Sequence, residues 1–215
     1  MTTSARPVAM QARGRKRRDA LLAAARDLLA TQEIDQISMA DVALQAEIPK
    51  SSAYHFYGDL IDLYSELAAQ LDSELQALIA EPISAAENWE EVIGVVIDRA
   101  AVFFHTNRAA QQLMFGPKTP PEIKRSSRGA DFETGGLVER HLDQLFILPA
   151  LPDRSRLFFR AIELADLMFG LSLFEYGALR QDMIEEAKKT ACAYLALYIP
   201  RILYRRGESD KPTKS

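Results

Sequence analysis

A chain of 215 residues, 48% hydrophobic and 26% charged, can bury a substantial core. It has no apolar run near the ~18 residues that a membrane-spanning helix needs, and its start lacks the apolar stretch of a signal peptide. The single Cys192 excludes an internal disulfide and fits a reducing, cytoplasmic setting. The net charge of −4 is unevenly spread. Residues 1–20 hold six Lys/Arg against the one acid Asp19, a local +5, which leaves −9 on the rest. A basic arm on an acidic body predicts attraction to a polyanion through the arm.

Helical periodicity dominates in chain order, so the fold class expected is all-α. Residues 1–16 read as a flexible arm. A first helix is predicted over Arg17 to Thr31, with Leu21, Leu22, Ala25, Leu28 and Leu29 on one face. Ser38 is a good N-cap for a second helix, with Asp41 three residues on to complete a capping box. Ile48-Pro49 is a tight turn, and a short third helix runs from Lys50 to about Tyr57. Gly58 is expected to close it in a left-handed conformation. Asp59 then caps a fourth helix, with Asp62 in its first turn and Leu63, Leu67, Leu71, Leu75 and Leu78 at steps of three and four, up to Pro82.

Further helices are predicted from Asn88 to Thr106, from Arg108 to Phe115 and from Glu122 to Phe146, the last with possible irregularity at Gly129 and Gly135-Gly136. The Gly116–Pro121 run is a loop. Two long helices close the chain, Asp153 to Leu179 and Gln181 to Arg205, before a loose tail. The implied organisation is an arm (1–16), a three-helix head (17–64), a body of about six helices (65–206) and a tail (207–215).

Residues 38–64 carry the functional signal. Short helix, turn, short helix is the layout of a helix-turn-helix, whose second helix enters a DNA major groove. Reading bases requires small or polar side chains at that helix's leading end and an apolar rear face. Pro49, Lys50, Ser51 and Ser52 supply the front; Ala53 and Tyr57 supply the rear. Tyr54 and His55 stand at the edge where hydroxyl and imidazole groups meet phosphates. Plain core packing is the competing reading for Tyr54 and Tyr57, and the favoured one for Tyr57.

At these residues the chain resembles the tetracycline-repressor family of one-component regulators. The resemblance runs through Ser38, Val42-Ala43, Ala46-Glu47-Ile48-Pro49, Lys50-Ser51-Ser52-Ala53-Tyr54 and Tyr57, and covers roughly residues 17–67. It implies a homodimer that binds double-stranded DNA at a palindromic operator, most simply as a repressor. It places phosphate contacts on Arg15, Lys16, Arg17, Arg18, Ser38, Tyr54 and His55, and base contacts on Pro49, Lys50, Ser51 and Ser52. Of these, Lys50 suits guanine O6/N7. Three residues depart from the family pattern: Glu33 and Glu47 stand where glycine is usual, and Leu60 where a lysine often meets a phosphate. Residues 21–64 hold only Arg26 and Lys50 against seven acids, so the head depends on the arm for cations.

The resemblance also implies that the last two long helices form a four-helix bundle with a partner subunit. Small and apolar residues available for it are Ala161, Leu164, Ala165, Met168, Leu171 and Ser172 on the first, and Ala191, Leu195 and Ile199 on the second. A small-molecule effector, apolar or aromatic, is expected between body helices. Candidate lining residues are Trp89, Phe103, Phe104, His105, Met114 and Phe115, followed by Phe132, His141, Met168, Phe169, Phe174 and Tyr176. No His-Glu-x-x-His, Cys cluster or nucleophile–base pair is present, so no metal, cofactor or catalytic activity is expected. The alternative is an all-helical small-molecule-binding protein or enzyme with a degenerate DNA-binding head, and the acidic head is its best support.

Overall fold

In the computed structural model residues 5–207 are described, and among them the chain forms nine α-helices and no strand. Helix α1 is Ala5–Thr31, α2 is Met39–Gln45 and α3 is Lys50–Phe56. Helix α4 is Leu60–Ile79 and α5 is Trp89–Thr106. The short α6, Arg108–Ala110, runs straight into a π-helical turn, Gln111–Phe115. Helix α7 is Pro121–Leu145, α8 is Arg154–Tyr176 and α9 is Gln181–Leu195.

The caps follow the local chemistry. Ser38 Oγ accepts from Asp41 N, and the Asp41 carboxylate accepts from Ser38 N at 2.8 Å, a complete capping box. Asp59 accepts from Asp62 N at 2.9 Å, and Asn88 accepts from Glu91 N at 2.9 Å. The predicted apolar faces are buried. Leu21, Ala25 and Leu29 of α1 meet Val42, Ala53, Tyr57, Leu63 and Leu67 in one continuous core. Each fully buried leucine contributes about 1.5–3 kcal/mol.

Four expectations need correcting. Helix α1 starts at Ala5, not near Arg17, so residues 5–16 continue the helix rather than forming a separate arm. Pro7 falls in its first turn, where a missing N–H costs no hydrogen bond. Helix α3 ends at Phe56 because Tyr57 is extended (φ −133°, ψ 125°), and Gly58 does not adopt a positive φ. Helix α7 runs unbroken through its glycines. Gly135 is there because α8 crosses it closely: a Cβ would lie 2.7 Å from Phe159 N. Finally, α9 ends at Leu195, ten residues early. Pro200 bars continuation, and the chain turns back so that Ile147 N donates to Tyr204 O at 2.8 Å and Arg206 N to Leu145 O at 2.9 Å. The expected tail beyond Gly207 lies outside the described residues.

The turn between α2 and α3 puts Glu47 at φ 54°, the left-handed region where a Cβ is strained. Glu47→Gly is therefore expected to raise unfolding free energy by about 0.5–1 kcal/mol. Urea titration checks this; an unchanged or lowered midpoint would show that the turn carries no such strain.

Candidate DNA interface and body cavity

Helix α3 is anchored from behind and open in front. Ala53 is fully buried and Tyr57 is 3% exposed, so core packing holds for Tyr57. Pro49, Lys50 and Ser51 are exposed, and Ser52 is half-buried. Tyr54 is half exposed, with Lys50 Nζ 5.9 Å from its ring centroid. His55 is exposed and stacks edge-on against Phe56, which is half-buried. Gly14 lies beside Phe56: a Cβ there would be 3.9 Å from Phe56 Cε1. The basic end of α1 thus passes the end of α3.

The four basic residues are not equivalent. Arg15, Lys16 and Arg17 are exposed. Arg18 is turned inward: its Nε donates to Glu66 Oε2 at 2.8 Å and to the Tyr57 hydroxyl at 3.3 Å. Burial pushes the Tyr57 phenol up to about 12, the Arg18 hydrogen bond opposing it. Ser38 is exposed, but its hydroxyl donates to Asp41 at 2.6 Å and so is already engaged.

Most of the head's acids have structural duties. Asp41, Asp59 and Asp62 serve the caps. Glu33, the first departure from glycine, pairs with Arg108 at 2.5 Å, and Asp35 pairs with Lys118 at 2.7 Å. These last two join head to body. Arg26 belongs to the same joint, bonding Glu74 at 2.7 and 2.9 Å. Its centre is Gln112, 8% exposed. The Gln112 amide donates to Leu29 O at 2.6 Å and Gln32 O at 2.7 Å, and its oxygen accepts from Ile34 N at 2.8 Å.

A cavity of about 420 Å³ lies among α4, α5, α7, α8 and the π-helical turn. Of the predicted lining residues it gathers Phe104, Met114, Phe115, Phe169 and Phe174. Phe104, Phe115 and Phe169 form an edge-to-face cluster with centroids 4.7–6.0 Å apart. The other candidates lie elsewhere. Trp89 is buried at the body's far end, donating from Nε1 to Pro200 O at 3.1 Å. His141 Nε2 is 2.8 Å from Ile79 O, and His105 Nδ1 is 2.9 Å from Ala101 O. Phe103 packs behind Phe104, Phe132 lies against Phe159, Tyr176 stacks under Arg180, and Met168 is half-buried outside the cavity.

Sequence reasoning missed the polar wall: Asp72 on α4, Asp131 on α7, and Glu163 and Asp166 on α8. Glu163 and Asp166 interrupt an apolar run (Ile162, Leu164, Ala165, Leu167), which is the signal that could have found them. Burial pushes Asp72 up to about 7. Asp131 and Asp166 are raised too, by burial first and then by the carboxylates around them. The facing bases are Lys124 and Arg128, both exposed, with Arg128 3.6 Å from Glu163. Asp72's folded-state value exceeds its ordinary 3.8, so between the two the folded protein binds more protons than the unfolded chain. Stability must then fall as pH rises from about 4 to 7. A lower melting temperature at about pH 8 than at pH 5.5 is expected in calorimetry; a flat or rising profile would contradict burial of these carboxyls.

The predicted bundle residues divide as well. Ala161, Ala165, Ser172, Ala191, Leu195 and Ile199 are buried within the protomer, where α8 packs on α9 and their neighbours, so they are not surface a partner could touch. Leu164, Met168 and Leu171 are half-buried. Leu167 and Phe174 of α8 are exposed but line the cavity, and Leu197, just after α9, is exposed as well. Cys192 is half-buried, its thiol pushed up to about 11 by burial, which disfavours thiolate chemistry. Among the described residues no His/Cys/Asp/Glu group could hold a metal ion, and no helix is long and apolar enough to cross a membrane.

The family pattern described as "Tetracyclin repressor-like, C-terminal domain" matches residues 87–199. Among solved structures, a TetR-family transcriptional regulator from Streptomyces coelicolor is 24% identical, with a TM-score of 0.67 over 85% of this chain and 99% of its own. A TetR transcriptional regulator from Rhodococcus sp. RHA1 is 14% identical, with a TM-score of 0.63 over 84% and 96%. A second transcriptional regulator from Rhodococcus gives 14%, 0.61, 86% and 98% respectively. At these identities the likeness is one of fold. No curated protein sequence matches the chain.

Proposed function

The chain belongs to the tetracycline-repressor-like family of transcriptional regulators, and from that premise we propose that it is a ligand-responsive repressor, cytoplasmic, which binds a palindromic operator as a homodimer. The observation that carries the DNA reading is α3 itself, with Pro49, Lys50, Ser51 and Tyr54 exposed while Ala53 and Tyr57 lock its rear into the core. One such helix contacts few bases, so two heads held by a dimer would read two half-sites. The dimer face would comprise Leu164 and Met168 of α8, which do not line the cavity, together with Leu197 just after α9.

The cavity would be the effector site. The π-helical turn gives it a route to the head, because Met114 and Phe115 line the cavity while Gln112, in the same turn, holds the end of α1. An effector that prefers one position of this turn would shift the population of head orientations and so the spacing of the two reading helices. The reading of the head as degenerate loses ground, since five of its seven acids cap helices or join the body.

Gel-shift titration against DNA flanking its own gene tests the proposal. Specific binding that weakens with salt is expected. Lys50→Ala should cut the preference for the best site by about 5- to 150-fold while leaving non-specific binding almost unchanged. Failure to prefer any such DNA over random sequence would sink the regulator reading.

A further inference from the structure

The cavity has two unlike sides. Phe104, Phe115 and Phe169 form an apolar, aromatic wall. Facing them are four carboxyls from three helices: Asp72, Asp131, Glu163 and Asp166. The two bases at the cavity, Lys124 and Arg128, are exposed at its rim, the Arg128 side chain being 71% accessible, so they leave the interior carboxyls without a buried counter-charge. Two buried polar atoms also lack any hydrogen-bond partner: Glu163 Oε1, and the hydroxyl of Ser127, a lining residue only 8% exposed. Buried polar groups are normally satisfied, so an unpartnered hydroxyl beside carboxyls that lack a buried counter-charge marks a place for a ligand's donor. No group of these acids is compact enough for a metal ion.

We propose that the cavity binds an organic cation, an ammonium or amidinium group carried on an apolar or aromatic body. This rests on the reading of the cavity as the effector site and narrows its chemistry. The cationic end would sit among Asp72, Asp131 and Asp166 and donate toward Ser127 and Glu163. The body would lie against the Phe104–Phe115–Phe169 cluster, whose ring faces also favour positive charge. Without a cation, burial keeps these carboxyls partly protonated. An incoming cation replaces those protons, so binding releases protons and strengthens as pH rises from about 6 to 8. Asp72 lies on α4, which starts beside the reading helix, so the same charge that selects the ligand pulls on an element of the head.

Three probes of similar length separate the possibilities: 4-phenylbutylammonium, its neutral analogue 4-phenylbutanol, and 5-phenylpentanoate. Isothermal titration of the full-length protein should show the cation binding about ten-fold or more tighter than the neutral analogue, and the anion weakest. Repeating it in buffers of different ionisation enthalpy should reveal proton release. Asp131→Asn/Asp166→Asn should bring cation and analogue within about two-fold of each other while the analogue's own affinity stays as in the parent. Asp72→Asn, tested alone, should reduce the preference in part. Thermal melts establish that each variant is folded. A cation bound no tighter than its neutral analogue, a preference that survives the double substitution, or no binding of the cation at millimolar concentration overturns the inference. A parallel gel shift keeps it distinct from the regulator reading. Charge-selective binding without any effect on DNA leaves the cation site standing and removes its role as effector site; DNA release by the neutral analogue alone does the reverse.

Discussion

Gln112→Leu is expected to lower unfolding free energy by about 2–4 kcal/mol and to disconnect ligand binding from DNA release. The substitution nearly preserves volume, so its effect is polar. It leaves the Ile34 amide unpartnered and removes a donor from Leu29 O and Gln32 O in a buried joint. The ion pairs around it, Arg108–Glu33 and Lys118–Asp35, are 41–51% exposed and individually worth no more than about 1 kcal/mol. They cannot hold the head in register once Gln112 is gone. Ligand affinity should change little, because Met114 and Phe115 still line the cavity. Operator affinity in the absence of ligand should persist, and the ligand-induced drop in that affinity should vanish. Urea unfolding and gel shifts with and without the cavity ligand measure the two halves. A full ligand response in a destabilised variant would move the coupling route to α4.

The residues that were legible in the sequence are those whose reasons are local. Ser38 with Asp41, Asp59 with Asp62, and the leucines of α1 and α4 declare themselves within four residues, because caps and helical faces are short-range devices. The placing of Tyr57 behind α3 and of Lys50 in front of it followed from the same spacing. What was hidden depended on distant partners. Glu33, in a position where glycine is usual, has its reason in Arg108, 75 residues further along the chain. In the sequence Arg18 is one more cation beside Arg15, Lys16 and Arg17; in the fold Glu66 and Tyr57 hold it. The acids of the cavity come from α4, α7 and α8; Asp72 and Asp131 read singly as parts of a solvated face, and only Glu163 and Asp166, set in an apolar run, stand out. Helix packing alone turns four ordinary carboxyls into one wall.

That difference between Arg18 and its neighbours sets the second large expectation. Arg15→Ala/Lys16→Ala/Arg17→Ala should reduce DNA affinity about 100-fold near 0.15 M salt and flatten the slope of log affinity against log salt by about 3, since each lost phosphate contact removes close to one released counterion. The loss should be the same on operator and random DNA, because phosphates carry no sequence information. Arg18→Ala should behave differently. It breaks a partly exposed ion pair and the contact with the Tyr57 ring, 5.3 Å from its guanidinium carbon to the centroid, and so should loosen α1 against α3 and α4. Its signature is a fall in stability of up to about 1 kcal/mol with the salt slope kept. Fluorescence anisotropy at several salt concentrations separates the two. If Arg18→Ala flattens the slope as much per residue as the triple variant, then its pairing with Glu66 gives way when DNA binds. If the triple variant leaves the slope unchanged, the basic end of α1 does not touch DNA, and Lys50, the one Lys/Arg of α3, would have to hold the operator with neutral contacts alone.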